Sequence, residues 1–132
     1  MGAWGFKTFD NDDAADWVFA FEEEGAGLVA ATLTAALDET DDHLDASVCC
    51  EALAAAEMVA AAKTGDMTHL SEEAAAALKG KADGLASPEN IELAREAVTR
   101  IKTDSELRDL WEEAEEFADW TGDVEGLAAR LG

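Results

Sequence analysis

Residues 1–17 run Met1-Gly-Ala-Trp-Gly-Phe-Lys-Thr-Phe-Asp-Asn-Asp-Asp-Ala-Ala-Asp-Trp17, and the parsing of the whole chain follows from where this stretch turns helical. Gly2 and Gly5 disfavour regular structure, so residues 1–9 are expected to be extended, with Trp4, Phe6 and Phe9 as apolar anchors. Asp10 or Asn11 then offers a side-chain oxygen to the free N–H groups of a helix start, and Asp12 and Asp13 sit at the positive end of its dipole. Ala14, Trp17, Val18 and Phe21 follow at helical spacing, so one stripe of helix one faces a core until Glu22–Glu24 and Gly25 end it.

The same periodicity carries through the chain. Helix two is expected over Gly27–Asp38 on Val29, Leu33, Ala36 and Leu37. Residues 39–43, Glu-Thr-Asp-Asp-His, have no apolar period and form an acidic loop. Asp45 caps helix three, which runs to Lys63 and buries Val48, Ala52, Ala55 and Val59 on one side before Gly65-Asp66 stops it. Ser71 opens helix four, up to Lys81, with Asp83-Gly84 as its stop. Ser87-Pro88-Glu89 opens helix five, carrying Ile91, Ala94, Val98 and Ile101. Ser105 opens helix six with Leu107, Leu110, Trp111, Ala114, Phe117 and Ala118 on one face. Asp123 caps a short last helix from Val124 to Leu131. No segment alternates with period two and none repeats at a fixed spacing. The expectation is therefore all-α: one compact domain, residues 1–132, of about six to seven helices.

The nine aromatic residues fall in two sets: Trp4, Phe6, Phe9, Trp17, Phe19 and Phe21, then Trp111, Phe117 and Trp120. Large aromatics dominate core packing. The N-terminal segment is thus expected to pack on the penultimate helix, helix six, in one aromatic cluster.

Met1 to Gly5, Phe9, Asn11-Asp12 and Asp16-Trp17 also carry a resemblance. The chain resembles a bacterial family with no assigned function, domain of unknown function 4259, whose members open with this pattern. The resemblance implies a fold and no activity.

Composition narrows the function. At 132 residues the chain suits one domain able to bury a core without metal or disulfide. A hydrophobic content of 48% argues against disorder despite a net charge of −22. Phosphate repulsion makes nucleic acid an unsuitable ligand, and anionic membranes are disfavoured for the same reason. From Thr8 to Ala62 there are fourteen carboxylates and no Lys or Arg, a field suited to a cationic protein partner. No basic and apolar leader opens the chain and no window is long enough to span a membrane, so a cytoplasmic protein is expected, with Cys49-Cys50 as reduced thiols.

Chemistry-bearing residues are few. The Asp10–Asp13 run lacks a calcium loop's later ligands: counting from Asp10, the fifth, sixth and twelfth positions are Ala14, Ala15 and Phe21. His43 among Asp41, Asp42 and Asp45 could complete a weak metal site but is expected to be solvated. His69 stands alone, and neither histidine has the Glu-x-x-His spacing of di-iron bundles. Cys49 and Cys50 lack a second pair for zinc and any cation to activate a thiolate, so they are expected as small core residues. Gly25-Ala-Gly27 lacks the strand and lysine of a phosphate loop. Ser71, Ser87 and Ser105 are caps, and Ser47 has no base beside it. No catalytic residue, cofactor or metal ligand set is expected. The leading expectation is a small acidic non-enzymatic domain, inhibitor-like or immunity-like, for a cationic partner. One alternative is acidity as adaptation to a salt-rich cytoplasm, and another is an enzyme whose site is assembled from distant residues.

Overall fold

A computed structural model describes residues 7–38, 44–80 and 84–132. The chain is all-α, and its described residues form seven helices: α1 (Asp12–Glu24), α2 (Ala26–Asp38), α3 (Ala46–Thr64), α4 (Glu72–Lys79), α5 (Pro88–Thr103), α6 (Glu106–Glu112) and α7 (Phe117–Leu131). Most start as the caps dictate. The side chains of Asn11, Ser71, Ser87 and Ser105 accept from the backbone N–H of Ala14, Ala74, Asn90 and Arg108, each satisfying a donor that the first helical turn leaves free. α3 ends on Gly65, whose φ of 82° would strain any residue with a Cβ.

The fold is built around α3, against which each of the other six helices packs. Every residue from Cys49 to Ala61 except Glu51 is buried, so the expected one-sided stripe is corrected to burial all round, with Val48 only half-buried. Alanine is the physical reason. A helix surfaced by methyl groups lets neighbours approach on every side, and a helix that is apolar all round belongs in the centre.

The start of α3 is also corrected. Asp45 makes no side-chain cap. The free N–H of Ala46 instead donates to Glu106 Oε1 at 2.9 Å, while the N–H of Glu106 donates to the Leu44 carbonyl at 2.8 Å. Two helix starts, α3 and α6, thus satisfy one another.

The C-terminal helices differ most from expectation. α6 stops at Glu112, and α7 begins at Phe117 and runs unbroken through Asp123. Leu107 and Trp111 are buried, Phe117 is half-buried, and Leu110, Ala114 and Ala118 are exposed. Glu112, Glu113, Glu115 and Glu116 would stand as like charges three and four residues apart on a continuous helix, which destabilises it there. Gly122, by contrast, has open space beside it and sits within α7. α4 also ends at Lys79, before the expected Lys81, while the expected stop at Asp83 lies outside the described residues.

Trp4 and Phe6, needed for the expected aromatic cluster with the penultimate helix, likewise lie outside the described residues. The described rings make two separate stacks, Trp17 on Phe21 at 5.4 Å and Phe117 on Trp120 at 6.2 Å. α1 packs on α2, α3 and α4, not on α6 or α7. Phe9 is buried beside α1 and the loop before α4.

Candidate functional site

Among the described residues several places gather polar or open features, three of them on α1 or α3. The first is internal. Glu57, 1% exposed on the central helix, accepts from Arg130 Nη1 of α7 at 2.6 Å through Oε1 and from the Thr8 hydroxyl at 3.2 Å through Oε2. Burial pushes the Glu57 carboxyl up, outweighing the hydrogen bond and charge of Arg130 that pull it down. Asp123, on the same side of α7, is raised by burial too. This trio joins the segment before α1 to both α3 and α7.

The second is a cavity of about 460 Å3 between α1 and the loop before α4, lined by Phe9, Val18 and Leu70 with Lys7, Asp10 and His69. His69 Nε2 lies 4.0 Å from Asp66 Oδ2 in the solvent-exposed loop. The Asp66 carboxyl is held below the usual range by the Thr68 backbone N–H and hydroxyl that it accepts from. Lys7, Asp10 and Glu73 give this cavity mixed charge.

The third is a groove of about 350 Å3 where α1, α2 and the start of α3 meet. Trp17, Ala20, Leu28, Ala31, Ala35 and Val48 line it. The Trp17 indole N–H donates to Thr32 Oγ1 at 2.8 Å, which locks α1 onto α2. Asp16 and Glu51 stand at its edges. Burial, then the charges of Asp13 and Asp45, push the Glu51 carboxyl up, so four carboxylates share this end of the molecule.

The residues singled out in the sequence scatter across this frame. Asn11 caps α1, and Asp12 and Asp13 fill its first turn. Asp45 precedes α3, whereas Asp41, Asp42 and His43 lie outside the described residues. Cys49 and Cys50 are buried free thiols. Burial raises Cys49 to about 11, against the opposing hydrogen bond of Ser105. It raises Cys50 to about 12, helped by Asp13 and Glu51. Neither can supply a thiolate near neutrality. Gly25, φ 74°, turns the chain from α1 into α2. Among the described residues no three His, Cys, Asp or Glu side chains converge as a metal site, and no helix is long and apolar enough to cross a membrane.

Sequence reasoning missed Glu57 and Glu106 as structural partners. The one signal for Glu57 was a lone acid inside the apolar run from Ala52 to Ala62. Glu106 carried none, because its partners lie about sixty residues away.

In comparison with known proteins, the family described as Domain of unknown function (DUF4259) matches residues 2–123. No curated protein and no solved structure matches the chain.

Proposed function

The chain belongs to the DUF4259 family, and since that membership brings no activity with it, we propose from the charge and packing that this is a small acidic non-enzymatic domain that binds a cationic protein partner. One observation carries this reading. Fourteen carboxylates and no Lys or Arg lie between Thr8 and Ala62, so α1, α2 and the start of α3 contribute negative charge with no cation of their own. Such a field accelerates encounter with a basic surface and weakens as salt screens it. The raised Cys49 and Cys50 thiols argue against a nucleophilic role for either. The test is capture with the intact protein, followed by titration of the captured partner across ionic strength. A basic partner whose affinity falls steeply with salt is expected. An acidic partner, or an affinity indifferent to salt, refutes the reading.

A second reading, acidity as adaptation to a salt-rich cytoplasm, is favoured by a different observation. Glu112, Glu113, Glu115 and Glu116, at the end of α6 and in the link to α7, are all exposed, far along the chain from the cation-free helices. Added salt screens the mutual repulsion of carboxylates spread this widely. Thermal unfolding in molar KCl tests it: strong stabilisation supports adaptation, and no change rejects it.

A further inference from the structure

α2 exposes Gly27, Ala31, Thr34 and Ala35 and no charged side chain until its last residue, Asp38. In a chain with 30% charged residues, this helix face stands out as uncharged. Gly27, Ala31 and Ala35 recur every fourth residue, so they share one side of the helix. Ala31 and Ala35 also line the groove that continues to Trp17 and Val48.

We infer that this groove is a docking surface for an amphipathic basic helix of the protein partner, whose apolar side chains lie over Ala31, Ala35 and Val48 while its flanking Lys or Arg side chains meet Asp16 and Glu51. The inference rests on the cationic-partner reading above and deepens it by assigning the place and the shape. Helix-in-groove recognition uses an apolar stripe for affinity and flanking charges for specificity. The groove supplies both parts: alanines small enough to let a second helix approach, and carboxylates at the edge. A second copy of this chain fits poorly, because it would bring its own Asp16, Asp38 and Glu51 against the same charges and like charges repel. The floor is rigid, since the Trp17–Thr32 hydrogen bond fixes the two helices that form its walls.

Calorimetric titration of the full chain with two synthetic peptides tests the assignment. One is a lysine-flanked helix with leucine at i, i+3, i+4 and i+7, and the other has the same composition scrambled. The amphipathic peptide is expected to bind about ten-fold tighter than the scrambled one. Ala31→Glu should abolish that difference. The two readings predict opposite signs here, because an added carboxylate would strengthen binding driven by the field alone. Ala31 is exposed, so the variant should fold, and Ala35→Glu repeats the test at a second exposed position. Asp16→Asn with Glu51→Gln should weaken the amphipathic peptide and flatten its salt dependence. Equal affinity for the two peptides, or an unaffected Ala31→Glu, overturns the groove and leaves the cationic-partner reading standing. Failure to bind either peptide removes both. Self-association that Ala31→Glu disrupts assigns the face to a second copy instead and overturns the inference.

Discussion

Glu57 and Arg130, 73 residues apart, meet through Oε1 and Nη1 at 2.6 Å, and the carboxylate end of this pair is almost fully enclosed. Removing one member of a buried pair leaves an uncompensated charge, which costs more than the pair contributes. Arg130→Met is therefore expected to destabilise the fold by about 3 kcal/mol at neutral pH. The deficit should shrink in acid, where Glu57 takes up a proton and no longer needs the guanidinium. Urea unfolding at two pH values measures both parts, and a deficit independent of pH would contradict the account.

The pH dependence of stability has a definite sign. Glu51, Glu57 and Asp123 are all raised above their ordinary values, chiefly by burial. The folded chain thus holds these protons at a pH where the unfolded chain has released them, so its stability increases as pH falls into the carboxylate range and decreases as pH rises through the folded values. Asp66 acts oppositely: lowered in the fold, it contributes stability that is lost only at more acid pH. Melting temperature is expected to be higher at mildly acid pH than at weakly alkaline pH. Glu57→Gln should flatten the curve. A melting temperature that falls steadily from pH 8 downward would refute the assignment.

Glu106 accepts from Ala46 N–H while its own N–H is held by Leu44. Glu106→Ala removes only the side-chain half of this exchange and is expected to cost about 1 kcal/mol, the usual worth of an N-cap. Asp45→Ala, which removes no cap hydrogen bond, should cost less. Denaturant midpoints of the two variants decide between a cap supplied by α6 and one supplied locally.

Cys49 and Cys50 are enclosed and hold their protons well above neutrality. Both should resist alkylation in the native protein and react promptly once urea unfolds it. Mass spectrometry after a timed iodoacetamide pulse reads this directly, and fast native labelling of either thiol would show that α3 opens locally.

What the sequence revealed depended on how far each interaction reaches along the chain. Asn11, Ser71, Ser87 and Ser105 cap N–H groups three residues ahead, so local pattern was enough to place those helix starts. The all-round burial of α3 was not legible, because it depends on six helices arriving from both directions in the chain. The boundary between α6 and α7 was hidden for another reason. The residues from Glu112 to Glu116 look like the wet side of one long helix, and repulsion among neighbouring acids breaks a helix without leaving a glycine or proline to mark it. The groove lies between. Its floor residue Trp17 was visible as apolar, but the uncharged outer face of α2 gained meaning only once its exposure was known.

The central position of α3 also bears on how the polypeptide can be made. During synthesis its apolar circumference emerges well before α5 and α7, which cover two of its sides. A nascent chain halted before those later segments would display a bare alanine-rich rod to other proteins. Maturation therefore has to wait for the carboxyl-terminal third, and chaperone capture is the natural fate of any prematurely terminated product.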